Sequence, residues 1–266
     1  MAKGVKYTNQ PLGTFGGLRH YVDPVTGNYI VSGLGGTTKN LIDKHLPRTV
    51  ENYVEFGNCV QWTKMVRINM EDIIHLAWGN YTSWINKMGK TIQKKDLMGE
   101  RGERGVMSSK CKSLLTSLNF NEQHPFKQVL TRDPEVIADE DRKTITVNIS
   151  DFCSKLELNW PTNFQYYRLS LQIGQLSDLY WSSADKKLVP EYKGVQFNRA
   201  VVRSEWLRKN TDVVDLSLSA SFKDNQLPQE NVTVLVGLGI EIGKSETPGT
   251  VSFYKGDGTM ALIACL

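Results

Sequence analysis

The stretch VTVLVGLGIEI, residues 232–242, carries an apolar side chain at every second position from Val232 to Ile242. This alternation is typical of a β-strand, because successive side chains point to opposite faces of a sheet. Similar runs continue from about Lys143 to the last residue, Leu266, and turn-forming residues separate them. The predicted strands are 143–149, 164–173, 179–183, 195–202, 213–222, 232–242, 251–254 and 259–266.

About eight short strands at this spacing predict an antiparallel sandwich of immunoglobulin-like type, although the Cys…Trp…Cys signature of antibody domains is absent. The best hairpin signal is the turn KGDG, residues 255–258, between the last two predicted strands. The predicted fold class is therefore α+β, with an N-terminal β-hairpin and helices followed by an antiparallel immunoglobulin-like β-sandwich.

The N-terminal half has a different pattern. Residues 1–17 are polar and glycine-rich and predict an arm, and residues 18–22 and 28–32 flank a turn, DPVTG, and predict a hairpin. Helical spacing begins at Pro47 and runs to about Val66, and two further helices are predicted over 70–95, with a break at Gly79-Asn80, and over 106–117. The predicted domains are 1–36 (arm and hairpin), 37–121 (helical region) and 122–266 (sandwich).

The composition is that of a globular protein, with 40% hydrophobic and 23% charged residues among 266. No run approaches the ~20 apolar residues of a transmembrane segment, and no signal peptide is visible at the N-terminus. We therefore expect a protein that is cytoplasmic as made, or incorporated into a released assembly.

The four cysteines share no C-x-x-C spacing, which favours free buried thiols over a disulfide framework or a zinc site.

The net charge of +4 hides an asymmetry between the two halves. Residues 1–120 contain 16 Lys and Arg against 9 Asp and Glu, a balance of +7, and residues 121–266 have a balance of −3. Such an asymmetry fits head-to-tail association of copies or contact with a polyanion. A nucleic-acid-associated protein that uses the basic half is therefore an alternative, although its basic residues are scattered.

Motifs for catalysis are absent. Gly33–Gly36 and Gly243-Lys244-Ser245 are near misses to a phosphate-binding loop, because neither has the required glycine spacing. The four histidines lie in four different segments without paired-ligand spacing, and His75 among apolar residues predicts a hydrogen-bonded core histidine. We predict no enzyme, no cofactor, no metal site and no small-molecule substrate.

The loop GERGERG, residues 99–105, is the one conspicuous local motif. It has two interpretations. One is a solvated loop between helices, in which the Glu-Arg pairs neutralise each other. The other is an interaction site, in which Arg101 and Arg104 present their guanidinium groups to a carboxylate or phosphate of a partner.

The predicted sandwich is rich in aromatic residues, and these also have two interpretations. Exposed rings of Trp160, Trp181 and Trp206 would stack on sugars and would make the chain a carbohydrate-binding module. The alternative is that these rings fill the core and its rim, as large aromatic residues usually do.

Several short segments together resemble a widespread family of uncharacterised proteins from Bacteroidota bacteria. They are the glycine-rich N-terminal hairpin, Arg48 to Phe56, Gly102 to Gly105, Leu115 to Asn121, Val129-Leu130, Val236 to Glu241 and Ala261 to Ala264. The resemblance implies a helical N-terminal part, an immunoglobulin-like C-terminal part and no known activity. It implies no catalytic or binding residue. The strands of this chain are more polar, and its N-terminal arm is longer, than the family pattern.

These observations favour a non-enzymatic structural or assembly subunit, such as one from a phage or a bacterial surface structure. A hairpin alone is marginal in water and needs something to pack against, either the C-terminal sheets or another subunit. We expect the chain to form a homo-oligomer or to join other structural subunits through its arm and hairpin. The candidate interaction residues are Tyr21, Tyr29, Ile30, Arg101 and Arg104.

Overall fold

The structure, a computed structural model, describes residues 12–23, 26–33, 47–118, 120–247 and 250–266. The chain forms two compact units, Met1–Val50 and Glu51–Leu266. The domain boundaries at 36/37 and 121/122 stay predictions.

The first unit contains a three-stranded antiparallel sheet in the order β1 (Gly13–Phe15), β2 (Leu18–Val22) and β3 (Tyr29–Gly33). The predicted hairpin is confirmed as β2 and β3. The prediction of an arm without regular structure over residues 1–17 is wrong for residues 13–15, which form β1. Gly16 and Gly17 both have positive φ, 57° and 79°, and form a two-residue turn that folds β1 back onto β2. Residues 1–11 of that arm, and 34–36 of the glycine-rich loop, lie outside the described residues.

The helices of the chain begin with α1 (Pro47–Asn69), which confirms the first predicted helix. Proline suits this first position, because its missing N–H would have no partner there. The second predicted helix is divided into a 3₁₀ turn (Ile74–Leu76) and α2 (Tyr81–Gln93). The predicted break is confirmed, and Gly79 adopts a φ of 78° in it.

Three short helices follow, α3 (Lys112–Leu115), α4 (Phe126–Val129) and α5 (Ser154–Glu157). The predicted helix over 106–117 is therefore wrong in its first half. Val106 instead exchanges backbone hydrogen bonds of 2.9 and 3.1 Å with Leu179. This bridge fixes the backbone of residue 106 in a conformation that cannot continue into a helix.

The second unit contains ten strands among the described residues. They are β4 (Glu135–Ala138), β5 (Thr144–Cys153), β6 (Tyr166–Leu176), β7 (Leu179–Ser182), β8 (Lys187–Pro190), β9 (Arg199–Arg203), β10 (Leu207–Arg208), β11 (Val213–Ser221), β12 (Thr233–Thr247) and β13 (Thr250–Cys265). All their pairings are antiparallel.

The strands form two main sheets and one small hairpin. One sheet has the order β10-β6-β12-β13, with β9 also paired to β6, the second has the order β11-β5-β4, and β7 pairs with β8. The sequence missed β4, β8 and β10, which are only two to four residues long. The predicted strand over 195–202 begins too early, because Val195–Phe197 forms a 3₁₀ turn.

The predicted hairpin at 255–258 is wrong. Strand β13 runs through this segment and stays paired to β12. Glu241 lies opposite Gly258, and Gly243 lies opposite Phe253, so β13 has three more residues than β12 between these two pairs. The glycines, with Gly256 at a φ of 99°, therefore form a bulge within one long strand. The chain reverses instead after Thr247, which pairs with Thr250.

Two hydrophobic cores lie on opposite faces of the five-stranded sheet. One core is packed between the two sheets and takes Val234, Val236 and Leu238 from β12, with Ile145 and Val147 from β5. The other core lies under the helices, and its members include Trp62, Val66, Met70, Ile73, Leu76, Leu235, Met260 and Leu262. The second unit is therefore built in three layers, with helices, a five-stranded sheet and a three-stranded sheet.

Glycines in β12 allow the helical layer to approach the sheet closely. A Cβ atom on Gly237 would lie 2.6 Å from the Met70 sulfur, and one on Gly239 would lie 2.6 Å from Leu76 Cδ1.

No helix in the described part of the chain is both long and apolar enough to cross a membrane. With these helices and antiparallel sheets, the chain is an α+β protein.

Candidate functional site

The N-terminal sheet carries an apolar face, which we define by Phe15, Leu18, Val22, Tyr29 and Val31. The register places these side chains on one side, because Phe15 pairs with Leu18 and Val22 pairs with Tyr29. Phe15, Leu18, Val22 and Val31 have between 42% and 51% of their surface exposed. Four large hydrophobic residues thus remain half exposed on one face of a small sheet.

Two of the predicted interaction residues lie on the opposite face of this sheet. Tyr21 and Ile30 are direct cross-strand partners there, and Tyr21 is 39% exposed. Tyr29 belongs to the apolar face, where its hydroxyl lies 2.6 Å from His20 Nδ1. The structure therefore separates Tyr29 from the other two. The sequence reasoning missed the other four residues of this face, Phe15, Leu18, Val22 and Val31. Val31 alternates with Tyr29 along the strand, and that signal places both on one face.

Arg101 and Arg104 lie beside carboxylates of α1. Arg101 Nε is 3.5 Å from Glu51 Oε2, and Arg104 Nη1 is 3.9 Å from Glu55 Oε1. The loop is only partly solvated, because Gly102 is buried and its N–H donates to Glu55 Oε1 at 3.1 Å. Both guanidinium groups thus have carboxylate partners within the chain itself, and their role toward another molecule stays a prediction.

Glu55 is a buried carboxylate at the centre of this arrangement, with 2% of its surface exposed. Burial raises its pKa, but the hydrogen bonds from Lys90 and the Gly102 N–H and the charges of Lys90 and Arg104 outweigh burial. The pKa of Glu55 therefore lies below its ordinary value. The pKa of Asp96 also lies below its ordinary value. Burial raises it, but hydrogen bonds from three backbone N–H groups, including that of Gly105 at 2.7 Å, outweigh burial.

A second buried carboxylate, Glu241, lies on the helix-facing side of the five-stranded sheet and is 1% exposed. Its cross-strand partner is Arg168, whose Nε donates to Glu241 Oε2 at 2.8 Å. Ser170 Oγ donates to the other oxygen at 3.1 Å, and Arg203 Nε lies 3.8 Å from it. The guanidinium of Arg168 also stacks over the Trp206 ring at 4.6 Å. This cluster is an internal ionic contact, and none of its members lines a described cleft.

His75 completes this cluster from the 3₁₀ turn. Its Nε2 lies 3.8 Å from Glu241 Oε1, and its ring meets Phe253 edge-on at 5.5 Å. The side chain is 35% exposed, so His75 is half-buried rather than the core residue that the sequence predicts. Burial lowers its pKa, and the charges of Arg203 and Arg168 lower it further, against the opposing effect of Glu241.

All four cysteines are free thiols, and Cys59, Cys111 and Cys153 are buried, as the sequence predicts, whereas Cys265 is half-buried. Burial raises the pKa of Cys59 to about 11 and that of Cys265 to about 12. Within the described ranges, no group of three or more His, Cys, Asp or Glu is placed to hold a metal ion.

The three tryptophans behind the carbohydrate hypothesis are all half-buried. Trp160 packs against the core between the sheets, and Trp181 packs against the core under the helices. Trp206 lies beneath Arg168. Of the three, only Trp160 also lines a described cleft, where its ring lies 4.4 Å from that of His124.

The fold and these sites define an α+β protein with antiparallel sheets, two internal ionic clusters and an exposed apolar face. Comparison of the chain with protein-family models, with curated proteins and with solved structures gave no match in any of the three. The resemblance to a Bacteroidota family therefore stays a prediction.

Proposed function

We propose that this chain is a non-enzymatic structural subunit that self-associates through the apolar face of its N-terminal sheet. The observation that carries the proposal is the half exposure of Phe15, Leu18, Val22 and Val31 on that one face. Burial of apolar surface stabilises association by roughly 25 cal/mol per Å² before the costs of binding are subtracted. A small sheet also needs a further layer for its own stability.

The partner that we propose is a second copy of the chain. The +7 balance of residues 1–120 and the −3 balance of residues 121–266 favour contact between the front of one copy and the back of another. Such a head-to-tail contact forms a ring if its rotation closes and a filament if it does not.

For the body of the subunit, we propose an immunoglobulin-like arrangement of the paired sheets. Two antiparallel sheets that enclose a common hydrophobic core support this proposal. The helical layer on the outer side of the five-stranded sheet is an addition to that arrangement.

The test is the mass of the protein by light scattering on a sizing column over a concentration series. The wild type is expected to exceed its monomer mass of 30.0 kDa increasingly with concentration. Val31→Lys, on the apolar face, is expected to return the protein to a monomer. Ser32→Lys adds the same charge to the next residue of the strand, on the opposite face, and is expected to leave the mass unchanged.

Two results would contradict the proposal. One is a wild-type monomer at every concentration. The other is an equal effect of Val31→Lys and Ser32→Lys on the mass, because association would then not depend on the apolar face.

A further inference from the structure

Two adjoining clefts in the second unit share a pair of lysines. The first cleft has a volume of about 510 Å³ and is lined by Trp160, His124 and both polar and apolar residues. The second has a volume of about 620 Å³ and is lined by Phe164 and Arg208, among others. Lys155 and Lys209 line both clefts. The two cavities therefore adjoin at these two lysines, and we call them together the double cleft.

The fold holds the two lysines at this position through their backbone. The N–H of Lys155, in α5, donates to Asn210 O at 3.0 Å. The N–H of Lys209, directly after β10, donates to Gln165 O at 2.8 Å. Both lysines thus sit on hydrogen-bonded backbone. Lys155 is exposed, and the half-buried Lys209 places its Nζ over the Phe164 ring, 4.1 Å from the ring centre.

The charge of this lysine pair is not balanced locally. Within the described part of the chain, neither ammonium group has a carboxylate within 4.0 Å, and neither cleft has Asp or Glu in its lining. Burial lowers the pKa of Lys209, and repulsion from Lys155 lowers it further. An anion bound beside the two lysines would offset this repulsion.

The remainder of the lining is suited to hydroxyl groups and sugar rings. Side-chain amides, which both donate and accept hydrogen bonds, line the double cleft at Gln123, Gln128, Asn159 and Asn163. The half-buried ring of Trp160 offers an aromatic surface beside them. A nucleic acid carries a phosphate at every nucleotide and would be expected to meet more cations than the lysine pair and Arg208.

We propose that the double cleft binds an acidic saccharide, a carbohydrate chain that carries carboxylates on its sugar rings. Lys155 and Lys209 hold a carboxylate by charge-assisted hydrogen bonds, the amides hydrogen-bond to ring hydroxyls, and Trp160 contacts a sugar face. This site lies in the second unit, outside the sheet of the self-association proposal, so either proposal can fail without the other.

The probe is tetragalacturonic acid, with galactotetraose as its uncharged counterpart, in isothermal titration calorimetry at low salt. The wild type is expected to bind the acid and to bind the neutral sugar at least tenfold more weakly. Lys155→Gln and Lys209→Gln are each expected to weaken binding of the acid about tenfold, because each removes a charge-assisted hydrogen bond to the carboxylate.

The matched control is Lys187→Gln, which removes an exposed charge from strand β8, outside both clefts. It is expected to bind like the wild type. The thermal midpoint of each variant, followed by tryptophan fluorescence, checks that the fold is kept. The proposal is overturned if the acid does not bind, if both sugars bind equally, if Lys187→Gln weakens binding as much as the cleft variants, or if a single-stranded tetranucleotide binds more tightly than the acid.

Discussion

At the scale of the residue, the Glu241 carboxylate is a buried charge with several partners. It lies inside the protein between the sheet and the helical layer and has two arginines and His75 around it. Losing a single partner from a buried ionic cluster costs more than forming the cluster gains, because a desolvated charge is left without compensation. The 3₁₀ turn approaches this carboxylate through His75, whose Nε2 lies 3.8 Å from Glu241 Oε1.

His75 makes the stability of this region dependent on pH. Its pKa is lower in the folded chain than the ordinary value of 6.5, so the unfolded chain takes up the proton more readily. The contribution of His75 to the free energy of unfolding is therefore fully present above about pH 6.5 and decreases as the pH falls below that value. We expect His75→Gln to reduce this decrease, and urea unfolding at several values between pH 7.5 and 5.5 measures it.

Tryptophan fluorescence is the suitable signal for this measurement, because all six tryptophans lie in the second unit. Identical pH profiles for His75→Gln and the wild type would show that another group titrates in this range. Glu55 and Asp96 affect stability at lower pH than His75. Their pKa values are lowered in the folded chain, so their contribution to the free energy of unfolding is lost as the pH falls through those folded pKa values.

At the scale of the element, the contact between α1 and α2 depends on Gly89. A Cβ atom at this position would lie 2.8 Å from Cε3 of the buried Trp62 ring, which belongs to α1. The indole nitrogen of Trp62 donates to Ser108 Oγ at 2.8 Å, so the ring is held in place and cannot easily yield. The glycine thus sets how closely the two helices approach.

Two glycine substitutions separate this packing effect from helix propensity. Gly57 and Gly89 both lie inside helices, but a Cβ atom on Gly57 would have no neighbour within 4 Å. Gly57→Ala is expected to raise the free energy of unfolding by about 0.5–1 kcal/mol. Gly89→Ala is expected to lower it by about 1–3 kcal/mol, because the overpacked ring must move. Urea unfolding measures both values, and a stabilising Gly89→Ala would contradict this account of the helix contact.

The long strands show how tertiary pairing overrides a local signal. Residues 255–258 have the composition of a tight turn, yet β13 continues through them as a bulge. Hydrogen bonds to β12 on both sides of the bulge keep the strand in the sheet, and Asn121 Nδ2 donates to Gly258 O at 3.0 Å from the other side. A turn signal of four residues contains no information about such distant partners.

At the scale of the whole molecule, the second unit has its own cores. The buried members of both hydrophobic cores begin at Trp62 and come from residues in the second unit. Deletion of residues 1–36 is therefore expected to leave its thermal midpoint within about 2 °C of the wild type. The same deletion is expected to abolish concentration-dependent association and to leave binding of the acidic saccharide unchanged.

Tryptophan fluorescence, light scattering and calorimetry on the deleted protein measure these three properties separately. A large loss of thermal stability would show that the first unit supports the second. Association that survives the deletion would place the self-association surface outside residues 1–36.

The sequence by itself determined the class of the fold and much of its local structure. Alternation of apolar residues is a local property, and it located β5, β6, β11 and β12, just as the 3.6-residue period located α1 and α2. The N-terminal hairpin followed from its turn residues in the same way. Short strands such as β10 were missed, because two residues carry no period.

Only the tertiary structure decided which residues share a site. The Glu241 cluster joins residues 75, 168, 203 and 241, and the double cleft joins residues 155 and 209, across separations that no sequence spacing encodes. Strand register brings these side chains together, and register depends on hydrogen bonds between segments far apart in the chain. The same register placed Tyr29 on the apolar face and Tyr21 with Ile30 on the other, which the composition of the hairpin alone left undecided.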